Sequence, residues 1–325
     1  MVDRSDTNGL PGTPKPSACC VPQVERSGKK PAPVTQRAVA APDDAVAIPG
    51  GRADLGTDAP ILTQDGESPR RDAPIRPFLI DVCAVTNDRF EGFVADTGYI
   101  TEAERFGWSF VFFQLVPDDV ATAAVVDAKW WRCVDGADWR HPDGPWSDLS
   151  GRGDWPVVHV SWNDAVAFAA WAGGQLPTEA QWEHAARGGL RNKRFPWGDK
   201  EPDDTDFFPC NIWQGRFPTD NTEADGHVFL APSKSFAPNG YGLFNSVGNC
   251  WEWTSDAMRI KSLSRAAKAR NAQAKSEGHK ALKGGSYLCH VSYCYRYRIA
   301  ARIGNPADTT TGHIGFRCVY DVQSP

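Results

Sequence analysis

The sequence predicts an α+β domain with a few helices, small antiparallel sheets and long connections. Three observations lead there. Helical spacing behind a capping residue occurs at only a few places. The other apolar segments are short and separated by Gly, Asn, Pro and Asp, without βαβ alternation or an internal repeat. Finally, 13 Trp, 30 Gly and 25 Pro suit irregular backbone packed around large buried rings.

Taken in order, residues 1–44 are rich in Pro, Ser, Lys and Asp and poor in large apolar groups. They read as a disordered tail, with 45–325 as one domain. Cys19 and Cys20 lie in that tail, where a metal-scavenging pair is the bold reading and an incidental pair the plain one. Residues 46–57 read as strand, Pro-Gly-Gly turn and strand, and residues 78–81 as another strand. Thr86 caps a helix that aligns Phe90, Phe93 and Val94 and stops near Gly98. Residues 161–172 place Trp162, Val166, Ala169 and Ala170 at helical spacing before Gly173-Gly174. Thr178 and Gln181 form a capping box that opens a helix running to Gly188-Gly189. Residues 255–282 are basic, with a helix-prone, Ala-rich stretch at 266–275, and read as a solvated surface helix or loop.

Composition narrows the function. A net charge of −5 without strong blocks gives no reason to expect nucleic acid. No run of 18 apolar residues exists, so no membrane span is expected. The N-terminal residues lack an apolar export segment, which predicts a cytoplasmic protein. The nine Cys are 19, 20, 83, 133, 210, 250, 289, 294 and 318, expected to be reduced and mostly buried.

The segment with most chemistry is 283–298, Lys-Gly-Gly-Ser-Tyr-Leu-Cys-His-Val-Ser-Tyr-Cys-Tyr-Arg-Tyr-Arg. Cys289 and Cys294 sit five residues apart. Thiols select soft ions such as Cu(I), zinc or iron–sulfur clusters. A zinc site would need two further ligands, and the chain has no Cys-x-x-Cys companion. A low-coordinate soft ion, a disulfide and a redox thiol pair remain open. Arg296, Arg298 and His290 are expected to lower the thiol pKa values.

This segment resembles the signature of the formylglycine-generating enzymes, or sulfatase-modifying factors. The resemblance rests on Lys283 to Ser286, Cys289-His290, Ser292 to Cys294, Arg296 to Arg298, Ala301-Arg302 and Gly315 to Arg317, and extends back to about Val46. It implies a C-type-lectin-like variant with little regular secondary structure. It also implies Cu(I) held by Cys289 and Cys294, with O2 as co-substrate. The substrate Cys of a Cys-x-Pro-x-Arg motif in a sulfatase would become the third ligand. Its oxidation through a thioaldehyde would yield Cα-formylglycine. Ser286 would hydrogen-bond near the reacting atoms, and Tyr293 would order the pocket. The partner would be an unfolded or nascent sulfatase polypeptide, met by a monomeric enzyme without nucleic acid or membrane.

The resemblance further implies two structural Ca2+ ions. One would use Asn211, Ile212, Asp225 and His227, and the other Asn245, Gly248, Cys250 and Glu252. A turn for Asn245 and a surface charge for Glu252 are the plainer alternatives. Trp131 and Trp139 are candidates for the peptide groove, although core packing suits each alone. His313, which stands where many members carry Asn, is a third candidate for contact with the substrate, although a lone His is more often structural. The substrate's Arg would need Glu102, Glu104, Asp135 or Asp138. Arg302 and Arg317 read as buried ion-pair formers. Relatives of the endoplasmic reticulum carry a Cys pair where this chain has Ala185-Ala186 and Ile299, which leaves Cys318 unpaired and fits a reducing compartment. Three rivals remain: an iron-dependent sulfoxide synthase, disfavoured by only seven His, a peptide-binding module, and a metal-free thiol oxidoreductase.

Overall fold

The computed structural model describes Pro22 and residues 41–322. The expected tail through residue 40, with Cys19 and Cys20, therefore lies outside the described residues apart from Pro22. Residues 41–44 already belong to the domain. Ala41 packs against the main core, and Asp44 pairs with Lys234 at 3.1 Å.

The elements are short. In chain order they begin with β1 (Val46–Ile48), β2 (Gly51–Leu55), β3 (Arg71–Ile75), β4 (Phe78–Ile80), α1 (Asn87–Thr97) and α2 (Glu102–Phe106). β5 (Trp108–Phe112), β6 (Ala123–Val125), β7 (Ala128–Asp135), α3 (Trp162–Trp171) and α4 (Glu179–Ala186) follow. The chain ends with β8 (Gly215–Arg216), β9 (Asp220–Asn221), β10 (Trp251–Ala257), α5 (Arg265–Ser276), β11 (His279–Lys283), β12 (Ile303–Pro306), β13 (Ile314–Gly315) and β14 (Val319–Tyr320). Five small sheets result, ordered β1-β4-β14, β12-β11-β10-β13, β2-β3, β5-β7-β6 and β8-β9. This is the predicted α+β mixture, with one difference. β10 and β13 run parallel, because the chain returns to β10 through a long loop rather than a hairpin.

The caps predicted at Thr86 and Thr178 form, and Ser161 caps α3 as well. Thr86 Oγ1 accepts from the Arg89 N–H at the start of α1, and Gly98 closes it in the left-handed region. Ser161 and Thr178 both make capping boxes, with Asp164 and Gln181. The buried face of α3 differs from the predicted one. Ala165, Phe168 and Ala169 face the core, while Val166 is exposed. A helix this rich in Ala offers several apolar stripes, and Phe168 decides by stacking on Phe90 at 5.7 Å. α5 is the surface helix expected, burying only Ala267 and Ala274.

The N-termini of α2 and α3 share one buried carboxylate. Asp164 accepts from Tyr99 Oη at 2.9 Å and from the N–H groups of Glu102 and Ser161. Burial, followed by the nearby charge of Glu102, raises the Asp164 pKa to about 7. The folded protein therefore holds a proton that the unfolded chain releases near pH 4. Stability from this group is complete below that value and is lost as pH rises through about 7. The melting temperature of the wild type is expected to fall between pH 5 and pH 8 more steeply than that of Asp164→Asn. Equal slopes would refute the buried proton.

A buried dithiol pocket as candidate active site

Two successive turns bring the thiols together. The N–H of Cys289 donates to Ser286 O at 2.9 Å, and the N–H of Cys294 donates to His290 O at 2.8 Å. The chain folds back on itself between the two turns. Cys289 Sγ lies 3.1 Å from Cys294 Sγ, well beyond the 2.0 Å or so of a disulfide. None of the seven described cysteines is in a disulfide, Cys318 included. Each sulfur-bearing residue of the pair is 1% exposed.

Both thiols border a cavity of about 10 Å³ with Ser286, Leu288, Tyr293, Trp130, Phe217 and Trp251. Such a space admits about one water. Tyr293 stacks on Phe217 at 3.9 Å and meets Trp130 edge-on at 5.2 Å. Ser286 is buried, its N–H pointing to Cys289 Sγ at 3.4 Å and its Oγ accepting from the Leu288 N–H. The structure thus gathers Cys289, Cys294, Ser286 and Tyr293 at one place. Sequence reasoning missed Phe217, Trp130 and Trp251 as pocket walls.

The electrostatics differ from expectation. Burial pushes the Cys289 thiol well above its usual range and the neighbouring Cys294 adds to this, while the Ser286 N–H and Arg296 pull it back less. Of the three expected activators, only Arg296 reaches a sulfur, at 3.7 Å from Cys294 Sγ. Its Nε is committed to Asp65 at 2.7 Å. Arg298 forms a bidentate pair with Glu67, and His290 turns to Ser292 Oγ and Asp204. These pairs pin the motif to residues 65–67. They leave Cys289 a buried thiol whose burial outweighs the pull of Arg296.

The expected groove residues lie elsewhere. Trp131 is fully buried against the His313 ring at 4.6 Å. Trp139 is buried against Phe90 at 5.1 Å. His313 is itself buried, with Nδ1 2.6 Å from Thr311 Oγ1. All three therefore pack in the core, and the partly exposed Trp130 faces the pocket instead. Among the candidate partners for a substrate Arg, Glu102 is buried against Asn163, Glu104 pairs with Arg140 and Asp138 caps its own turn. Asp135 is exposed.

The two oxygen-rich segments meet. The N–H of Asn249 donates to Asn211 O at 2.8 Å. Gly248 permits that approach with φ +76°, since a Cβ there would lie 2.4 Å from Asn211 O. In the first expected calcium set, Gln214 turns its amide nitrogen onto Ile212 O and Asp225 Oδ2 and leaves its own Oε1 buried without a hydrogen-bond partner. Asp225 Oδ1 accepts from the His227 N–H, and the Asn211 amide donates to Phe229 O. In the second set, Asn245 Oδ1 is likewise a buried acceptor without a hydrogen-bond partner. An unused buried acceptor on Gln214, whose amide touches the Asp225 carboxylate, and a second on Asn245 suit the oxygen ligands a hard cation takes. Glu252 is not the surface charge of the plainer reading. It is buried in a bidentate pair with Arg317, at 2.7 Å for both contacts, and accepts from Trp182 Nε1 at 2.6 Å. Its two oxygens offer about four lone-pair sites, so three donors leave room for a fourth partner. Arg302 pairs with Glu179 at 2.6 Å, as expected.

An irregular α+β domain with a buried thiol pair beside a small cavity is what the resemblance to the sulfatase-modifying factors leads one to expect, and comparison with known proteins shows that family. The family described as "Sulfatase-modifying factor enzyme 1-like domain" matches residues 30–322. The formylglycine-generating enzyme of Bos taurus is 48% identical over 310 residues, 94% of this chain and 82% of that one. The formylglycine-generating enzyme of Thermomonospora curvata is 50% identical over 282 residues, 85% of this chain and 93% of that one. Among solved structures, PvdO from Pseudomonas aeruginosa aligns with TM-score 0.59 at 20% identity, over 91% of this chain and all of that one, which shows a shared fold. The chain belongs to the sulfatase-modifying factor family of formylglycine-generating enzymes. Among the described residues, no helix is long and apolar enough to cross a membrane.

Proposed function

We propose that this protein is an oxidoreductase that converts a cysteine of a sulfatase polypeptide, in a Cys-x-Pro-x-Arg context, to Cα-formylglycine. The observation that carries the reading is the dithiol, two buried sulfurs 3.1 Å apart in a cavity shared with Ser286 and Tyr293. Relatives named for the reaction support it. Among the described residues no group of three or more His, Cys, Asp or Glu could hold a metal, so Cys289 and Cys294 would hold Cu(I) with no third protein ligand. Bound there, Cu(I) would supply the one-electron redox chemistry towards O2 that side chains lack.

The chain's own residues do the rest. The cavity excludes bulk water, which strengthens each polar contact within it. Ser286 Oγ lies in the wall, where it can hydrogen-bond the incoming thiol or O2. Stacking on Phe217 fixes the Tyr293 ring. The substrate loses its thiol hydrogen and one Cβ hydrogen, two protons and two electrons in all, to form C=S, and O2 takes them up as hydrogen peroxide. Water then displaces the sulfur, which leaves as hydrogen sulfide, and the aldehyde remains. Ca2+ at the two oxygen-rich segments would be structural. Seven cysteines outside any disulfide suit a reducing, cytoplasmic setting, and the partner is an extended sulfatase segment met by a monomer.

Mass spectrometry of a Cys-x-Pro-x-Arg peptide incubated with the protein tests this. A thiol-to-aldehyde mass change is expected in air with Cu(I), and none under nitrogen or with a Cu(I) chelator. An unchanged peptide with copper loaded would overturn the proposal. Conversion that survives the chelator would favour metal-free thiol chemistry.

A further inference from the structure

We infer that the β8–β9 hairpin is a lid, and that Phe217 at its tip decides which thiols reach the dithiol. The inference deepens the proposed function and rests on that reading of the pocket. The cavity beside Cys289 and Cys294 holds about one water, and both residues are 1% exposed. A peptide cysteine cannot come within bonding distance of either sulfur while the three rings of Trp130, Phe217 and Tyr293 stand as they do. Close-packed atoms do not yield continuously, so one wall must move as a unit.

The hairpin is the wall built to move. Trp130 belongs to the central strand of a three-stranded sheet, and Tyr293 sits inside the turn that positions Cys294. Phe217 instead caps two strands of two residues each, Gly215–Arg216 and Asp220–Asn221, that pair only with each other. The base of the hairpin is tied to its surroundings by two hydrogen bonds. The Gly215 N–H donates to Asp204 Oδ2 at 3.0 Å and Trp213 Nε1 donates to Asp220 O at 3.1 Å. Gly215 adopts φ +95°, and a Cβ there would lie 2.8 Å from Asp220 O. Apart from the packing of Phe217, the tip is tethered by one side chain. The exposed Gln114 amide donates to Pro218 O at 3.2 Å and Thr219 O at 3.0 Å. Phe217 is wedged between Tyr293 at 3.9 Å, Trp213 at 5.3 Å and Trp130 at 5.5 Å. A short hairpin that pairs with no other sheet, one exposed side chain tethering its tip and one ring in the doorway describe a lid. Closed, it bars free small thiols. An extended peptide can displace Phe217 by offering its own side chains to Trp130 and Tyr293.

Alkylation of the metal-free protein, mapped cysteine by cysteine, tests this without relying on turnover. Phe217→Ala should raise the labelling rates of Cys289 and Cys294 by about tenfold or more. The rates of the buried Cys210 and Cys318 should stay at wild-type values, with the partly exposed Cys133 as the fast reference. Phe217→Tyr keeps the stacked ring and should label like wild type. Unchanged labelling of Cys289 and Cys294 in Phe217→Ala would overturn the lid. So would a rise shared equally by Cys210 and Cys318, which reports general loosening. Should Phe217→Ala fail to fold, Gln114→Ala decides with every ring in place. A selective rise at Cys289 and Cys294 supports the lid, and no rise overturns it. A protein that shows this gating but never converts the peptide would retain the lid and lose the proposed reaction.

Discussion

Cys289→Ser and Cys294→Ala are each expected to lower peptide conversion by about a thousandfold or more, the scale of loss when one member of an interdependent catalytic unit is removed. The argument runs through coordination. One thiol leaves a single soft ligand, and no His, Cys, Asp or Glu cluster among the described residues can replace the other. Copper bound per protein should fall together with turnover, which separates loss of the ion from damage to the peptide site. Folding should survive. Ser replaces a buried thiol at nearly equal size, and the hydroxyl it buries can turn to the Ser286 backbone. Near-wild-type thermal unfolding with lost copper and lost turnover is the expected combination. Conversion within tenfold of wild type in either variant would show that the dithiol is not the reaction centre. Activity in Cys294→Ala alone would assign the chemistry to a single nucleophilic thiol.

What could be read from the sequence follows the range of the interactions. Helix starts were legible because a cap lies within three residues of its partner, as at Thr86, Ser161 and Thr178. The thiol pair was legible for the same reason, since two turns close five residues. The pocket walls were not. Trp130 and Trp131 are neighbours on β7, and a strand sends them to opposite faces. The sequence names both and cannot say which one is wet. Phe217 reaches Tyr293 from a distant part of the chain with no local mark. The thiol environment was misread because charge can be counted in a sequence and burial cannot. Arg296 and Arg298 look like activators of Cys294 until Asp65 and Glu67, each 231 residues away, claim them. Glu252 looks exposed between two Trp for the same reason, before the parallel pairing of β10 with β13 buries it.

Glu252→Leu is expected to cost roughly 3–5 kcal/mol of stability, the usual penalty for leaving one member of a buried ion pair behind. Arg317 is 1% exposed and Glu252 is 2% exposed at the side chain. After the substitution, Arg317 keeps only the carbonyls of Asp81, Val82 and Phe244, which offer partial charge but no counter-ion. Trp182 Nε1 loses its acceptor as well. For a domain of this size the melting temperature should fall by about 10 °C. Replacing both partners, Glu252→Leu with Arg317→Met, should recover part of that loss, because an apolar pair removes the stranded charge. A double variant as unstable as the two single losses added together would show that the pair contributes no coupling. The same series probes the second proposed calcium position. If Glu252 also serves a cation beside Asn245, a chelator such as EGTA should lower the melting temperature of the wild type more than that of the double variant. Equal sensitivity to EGTA would leave Glu252 as the counter-ion of Arg317 alone. The unused Asn245 Oδ1 would then need a partner other than calcium.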